Sequence, residues 1–140
     1  MILRSQGMIV SALLVAVALS GCTTTKSAAS RGIFSSKPSA SAAFITALQG
    51  GIVGRSGLNL TDSDKQRALE AEYRALEGAA VGQPMLWTGK DVTGKVVAAA
   101  PYQVGSQNCR QYSHTLTVDG KDTVARGAAC RNDDGSWSPL

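Results

Sequence analysis

The sequence predicts an α+β fold, with one N-terminal helix packed on an antiparallel sheet of about four strands. An apolar repeat of helical period follows residue 61, and apolar and polar residues alternate with period two after Gln83. Two cysteines, Cys109 and Cys130, each lie ten residues from an Asp-Gly pair that is typical of a tight turn. We therefore expect one small layer of helix on sheet, closed by a cross-strand disulfide and preceded by a disordered tether.

The amino terminus has the pattern of a leader peptide. Arg4 precedes an apolar run of twelve residues. A helix needs about twenty residues to cross a bilayer, whereas twelve suit the apolar region of a signal peptide. The run ends in Leu19, Ser20, Gly21 and Cys22, which resembles the lipobox of bacterial lipoproteins. This resemblance implies a signal peptide over residues 1–21 and lipidation of Cys22. The alternative is an ordinary secretory signal with a chance cysteine.

A lipidated Cys22 defines the expected partner, which is a membrane. Lipoproteins of this type carry diacylglycerol and usually an N-acyl chain. Each buried CH₂ contributes about 0.8 kcal/mol, so one chain holds weakly and several chains hold firmly. Thr23 follows the cysteine in place of aspartate. In such lipoproteins this favours the outer membrane, although the leaflet that the domain faces stays open.

Two segments are expected between the anchor and the folded domain. Residues 22–41 are rich in Ser, Thr and Ala, which predicts a flexible tether. Residues 42–60 form a short apolar segment that contains Gly50, Gly51, Gly54 and Gly57. Small residues four apart allow helices to approach closely in membranes, but this segment is too short to span one alone. Peripheral membrane contact and packing onto the domain both fit the pattern.

The folded domain is expected to cover residues 61–140 and to begin with a helix. Thr61 is a suitable N-cap, and Asp64 lies three residues further on. Gly78 provides the C-terminal stop. One apolar stripe follows the spacing i, i+4, i+7: Leu69, Tyr73 and Leu76.

The strands follow from Gln83. The first is entered through Pro84, and the second is bent or ended near Pro101. A two-residue turn at Asp119-Gly120 places Cys109 directly opposite Cys130, with Cα atoms about 4.5 Å apart in a non-hydrogen-bonded pair. A bulge in either arm would shift this register. The oxidising compartment reached by an exported protein would preserve the bond, and closing a loop of about twenty residues stabilises by about 3 kcal/mol.

The same register assigns the two faces of the sheet. The face expected to receive the helix carries four residues of one strand: Tyr112, His114, Leu116 and Val118. The cysteine face is mostly polar and is expected to face water. After it, Asp134-Gly135 forms another turn, and Trp137 packs back on the edge of the domain.

Composition and charge exclude several kinds of site. The net charge is +4, but residues 23–60 carry four basic and no acidic residues, whereas residues 61–140 carry nine basic and ten acidic ones. The domain therefore has no basic excess for nucleic acid. His114 is the one histidine, expected to be packed or at an edge, so no histidine metal cluster is possible. Asp133-Asp134 fits turn chemistry better than cation binding. We expect no catalytic residues, no metal and no cofactor.

Three segments resemble a known family: GGIVGRSGLNLTDSDKQRALEAEYRALE, GQPMLWTG and YQVGSQNCRQYSHTLTVDGKDTVARGAACRNDDGSWSPL. They are similar to the rickettsial 17 kDa surface antigen family of outer-membrane lipoproteins. The most specific parts are Asn108 to Tyr112, Ala129 to Arg131 and Asp134 to Trp137. The family usually carries a longer glycine zipper before the helix than residues 50–55 provide. The resemblance implies an outer-membrane lipoprotein without established catalysis.

Two functions are therefore open. The first is a lipid-anchored outer-membrane surface antigen, a non-enzymatic envelope protein with a structural or interactive role and an envelope or host protein as a possible partner. The alternative is a small lipoprotein inhibitor or binding module that acts on envelope or host hydrolases through the polar cysteine face. Inhibition of lysozyme or a protease by the pure protein would distinguish the second from the first.

Overall fold

The computed structural model describes residues 40–140, which contain two α-helices, one 3-10 helix and five strands. The helices are α1 (Ala40–Ala47), the 3-10 helix Val53–Arg55 and α2 (Asp62–Gly78). The strands are β1 (Pro84–Thr88), β2 (Thr93–Val104), β3 (Gln107–Val118), β4 (Lys121–Arg131) and β5 (Trp137–Pro139). The predicted α+β class is confirmed. The predicted signal peptide, Cys22 and most of the predicted tether lie outside the described residues.

The sheet is an antiparallel meander in the order β1-β2-β3-β4-β5, so each strand pairs with the next one along the chain. The expected number of about four strands becomes five because the C-terminal segment pairs with β4, with Trp137 opposite Arg131. Strand β2 continues past Pro101, and the register shifts between Ala98 and Pro101. Proline cannot donate to the ladder, which accounts for an irregularity where the sequence predicted a bend.

Helix α2 begins as predicted, and its predicted stripe packs against the core together with residues that were not predicted. The Thr61 hydroxyl accepts a hydrogen bond from the Asp64 backbone N–H at 3.1 Å. Leu76 is fully buried as expected, whereas Leu69 and Tyr73 are only half-buried. The buried face is built mainly on alanines: Ala68, Ala71 and Ala75. Small side chains let the helix approach the sheet closely, so larger ones lie at its flanks.

The segment that precedes α2 packs onto the domain, which is one of the two interpretations that its sequence allowed. Leu48, Ile52 and Val53 are buried in the same core cluster as the sheet and α2. Helix α1 was not predicted. It lies beside α2, where Phe44 stacks on Tyr73 with ring centroids 5.7 Å apart.

The face of β3 that was predicted to meet the helix does so. Tyr112, His114 and Leu116 are buried and Val118 is half-buried at the edge of the core. Among the helices of residues 40–140, none combines the length and the apolar character that crossing a membrane requires.

Candidate functional site

Cys109 and Cys130 form a disulfide between β3 and β4. Asp119 and Gly120 have φ angles of 50° and 74°, the left-handed values of a type I′ turn. From Val118 opposite Lys121, the ladder runs without a shift to Cys109 opposite Cys130. Both cysteines are buried, and the bond between them leaves neither as a free thiol.

The single histidine belongs to a buried chain of hydrogen bonds. Glu72 of α2 accepts from Nδ1 of His114 at 2.8 Å, and Nε2 of His114 accepts from the indole Nε1 of Trp87 at 2.8 Å. Because the indole nitrogen only donates, Nε2 of His114 is the acceptor in this chain and Nδ1 is the donor to Glu72. The Glu72 carboxylate also accepts from the backbone N–H groups of Ile52 at 3.0 Å and Val53 at 2.8 Å.

The residue types of this arrangement are those of a catalytic relay, but all of its members lie inside the core. The side chains of Glu72 and His114 are both 0% exposed, and both ring nitrogens already have partners. The Tyr112 hydroxyl also lies 3.4 Å from Glu72. Burial, followed by the charge of Glu72, raises the pKa of Tyr112 and keeps its hydroxyl protonated. These groups tie α2, the 3-10 helix, β1 and β3 together.

The glycine stretch before the 3-10 helix allows the backbone to donate hydrogen bonds to the same carboxylate. Gly50 and Gly51 have φ angles of 84° and 58°, which turn the chain so that the next two N–H groups point at Glu72. A Cβ at Gly51 would overlap the Glu72 carboxylate, whereas a Cβ at Gly50 would meet open space. In residues 40–140 this stretch is therefore a cradle for Glu72 inside the domain.

Arg110 caps the C-terminal end of α2. Its Nη1 donates to the carbonyl oxygens of Ala75, Leu76 and Ala79 at 3.0 to 3.2 Å, and its Nε donates to Ala99 at 2.9 Å. A cation at this end complements the helix dipole and satisfies carbonyls that the helix leaves unpaired. Since Ala99 lies in the irregular part of β2, one guanidinium fixes both the helix end and the bulge.

A second clamp holds α2 at the β5 edge. Glu77 accepts from Arg131 Nη2 at 2.9 Å and from Trp137 Nε1 at 2.8 Å. The hydrogen bond from Arg131 is the main reason that the pKa of Glu77 lies below its ordinary value of 4.5. Trp137 is buried, as its predicted packing requires.

Asp134 of the acidic pair near the C-terminus takes part in a turn, as predicted. Asp134 accepts from the backbone N–H of Ser136 at 2.9 Å and from its hydroxyl at 2.6 Å. These bonds lower the pKa of Asp134. Across residues 40–140, no group of three or more His, Cys, Asp or Glu side chains is arranged to hold a metal.

The face turned away from α2 is the part of the sheet that the core does not use, and we call it the outer face. The register places three groups of side chains on it: Lys95 and Val97 of β2, Ser113 and Thr115 of β3, and Val124 and Arg126 of β4. Leu86 of β1 lies on the same face and is 70% exposed. The outer face is more mixed than its predicted polar character, with exposed apolar side chains among cations and hydroxyls.

Comparison with known proteins finds relatives of this chain among proteins named 17 kDa surface antigen. The chain is 37% identical over 84 residues to a 17 kDa surface antigen of Rickettsia bellii (strain RML369-C), a match that covers 58% of this chain and 53% of that protein. The chain is similar to the rickettsial 17 kDa surface antigens. Those of Rickettsia conorii and Rickettsia prowazekii are 35% and 36% identical over 81 and 80 residues. These matches cover 56% and 54% of this chain and 51% and 50% of those proteins.

The chain spans about half the length of these curated relatives. The resemblance that the sequence motifs indicated is confirmed at this level. No protein-family model matches the chain, and no solved structure does.

The residues that carried the resemblance are architectural in the structure. Arg110 and Arg131 bind the C-terminal part of α2, Tyr112 reaches Glu72, and Trp137 binds Glu77. Sequence reasoning missed Glu72 as the hub of the core, although its spacing from Ala68 and Leu76 placed it on the buried face.

Proposed function

We propose that this chain is a lipid-anchored outer-membrane protein of the surface-antigen type, in which residues 40–140 form a non-catalytic module for structural or interactive work in the envelope. The observation that carries the proposal is the similarity to proteins named 17 kDa surface antigen. The lipobox-like residues that end in Cys22 supply the anchor.

The disulfide between Cys109 and Cys130 supports an exported location, because such bonds persist in oxidising compartments and are rare in the cytosol. Thr23 after the anchor cysteine supports the outer membrane as the destination. Acyl chains on Cys22 would hold the chain through buried CH₂ groups, at about 0.8 kcal/mol each.

A non-enzymatic role is part of the same proposal. The Tyr112 hydroxyl and the His114 imidazole each contact the Glu72 carboxylate inside the core, so these groups have no access to a substrate. A general base must reach the proton that it removes, directly or through one water. The outer face, by contrast, is open to solvent and suits contact with other molecules.

The test is mass spectrometry of the mature N-terminus combined with protease shaving of intact cells that express the full chain. We expect the first residue to be a diacylglyceryl- or triacyl-modified Cys22 and the protein to fractionate with the outer membrane. A Cys22→Ser variant should remain unprocessed and unlipidated. An unmodified mature N-terminus, or a soluble wild-type chain, would contradict the anchor.

A further inference from the structure

The outer face of the sheet contains an open groove. Its volume is about 630 Å³, within the range of about 300–1,000 Å³ that is typical of ligand pockets. It lies across β2, β3 and β4, beside the loop that carries Val81 and Gly82. The Gly82 backbone N–H donates to Ala98 at 3.0 Å, which holds this loop against the irregular part of β2.

The lining of the groove combines one cation, polar side chains and apolar surface. Arg126 is exposed and forms no ion pair with any carboxylate of residues 40–140. Ser113 lies opposite Arg126 on the neighbouring strand, and Gln111 is exposed two residues before it. Val81, which is 60% exposed, and the half-buried Val97 supply the apolar part.

From this lining we propose that the groove binds an extended acidic peptide. A carboxylate of the peptide is held by the Arg126 guanidinium, whose fixed fork of N–H donors matches a carboxylate in two parallel hydrogen bonds. Gln111 and Ser113 bond the peptide backbone, and Val81 and Val97 contact its apolar side chains. The proposal rests on the proposed function in treating the domain as an interaction module, and it names the chemistry of the partner.

Two other occupants fit the lining less well. A fatty acyl chain would cover Gln111 and Ser113 without pairing them, and burying unpaired polar groups is costly. The segment before the domain cannot provide the carboxylate, because residues 23–60 contain four basic and no acidic side chains. Across three strands the groove is about 10 Å wide, which a peptide of about three residues spans at about 3.4 Å per residue.

The test uses the full chain in phosphatidylcholine nanodiscs and two fluorescent peptides, with the sequences Gly-Val-Ala-Glu-Val-Gly and Gly-Val-Ala-Gln-Val-Gly, both amidated at the C-terminus. Anisotropy should show that the Glu peptide binds about tenfold more tightly than the Gln peptide, the effect of one charge-assisted pair. Arg126→Gln should abolish this preference and leave the fold unchanged by circular dichroism. Val81→Ser should weaken both peptides alike.

Arg74→Gln is the matched control, because Arg74 is also exposed but lies on α2, away from the groove. This variant should bind as the wild type does. Equal affinity for the two peptides, an unchanged preference in Arg126→Gln, or displacement of the Glu peptide by laurate but not by unlabelled peptide would overturn the proposal. Mass spectrometry of Cys22 on the same preparation tests the anchor separately, so failure of one proposal is distinguishable from failure of the other.

Discussion

Replacing Glu72 by alanine removes the acceptor through which α2 is bonded to the start of the 3-10 helix and to β3. In the wild-type chain its carboxylate is fully buried and receives the N–H groups of Ile52, Val53 and His114 at 2.8 to 3.0 Å. The Tyr112 hydroxyl at 3.4 Å is a longer and weaker contact. Alanine at this position leaves all of these donors inside the core without a partner.

The loss in free energy of unfolding follows from the number of buried donors that lose their acceptor. Each buried donor that loses its acceptor costs about 1–3 kcal/mol, so three donors cost about 3–6 kcal/mol if water partly enters the space. The whole stability of a small domain is about 5–15 kcal/mol. Glu72→Ala should therefore bring the domain close to unfolding at room temperature. Glu72→Gln keeps one acceptor oxygen and should cost about half as much.

The measurement is guanidinium chloride unfolding of the full chain, followed by the fluorescence of Trp87 and Trp137, which lie on different strands. The matched control is Glu70→Ala on the exposed side of the same helix, expected to change the free energy of unfolding by less than about 0.5 kcal/mol. The error of such comparisons is about 0.5 kcal/mol. If the free energies of unfolding of Glu72→Ala and Glu70→Ala agree within about that margin, the central role of the Glu72 carboxylate is wrong.

Three further predictions follow from other parts of the structure. Gly51→Ala should destabilise the domain by about 2 kcal/mol more than Gly50→Ala in the same unfolding assay, because both positions have positive φ but only Gly51 faces a carboxylate; equal losses would contradict this. Cys109→Ser should lower the free energy of unfolding by about 3 kcal/mol, and reducing agent should then have no further effect; labelling of both domain cysteines in native, unreduced protein would refute the bond. Because the pKa of Glu77 is lowered by Arg131, its stabilisation is present above pH 4.5 and is lost as the pH falls through the lowered value. Urea unfolding should therefore show Glu77→Gln less stable than wild type at pH 7, by up to about 1 kcal/mol, with the difference shrinking at pH 3; a constant difference would argue against the pairing.

The hairpin was predictable to the residue because its turn determines everything that follows. Asp119-Gly120 admits the two left-handed conformations of a type I′ turn at little cost, and no bulge intervenes before Cys109. The alternation of side chains then puts Tyr112 and His114 on one face, and the apolar residues on that face identify it as the core side. In a hairpin of this kind, the residues of the turn determine the register of the two strands.

The packing of α2 was less predictable because the prediction placed the largest apolar side chains of the helix on its buried face. Of the three predicted residues only Leu76 is fully buried, while Leu69 and Tyr73 lie at the flanks of a face made mainly of alanines. Glu72 was hidden for a related reason, since a glutamate in a charged helix is usually solvated. Two of its partners are the backbone N–H groups of Ile52 and Val53, and backbone donors cannot be recognised from the types of the side chains.

The groove and the similarity to the surface antigens give different kinds of information about function. Arg110, Tyr112, Arg131 and Trp137 all direct their polar atoms at α2 or at the carboxylates it carries. A resemblance that rests on these residues reports how the helix is held on the sheet, so it supports the fold more directly than any activity. The proposed peptide binding depends instead on side chains that this framework leaves free, and Arg126 on the outer face is one of them. Exchanging that residue should change what the domain binds while leaving its stability intact, which separates the two roles in one chain.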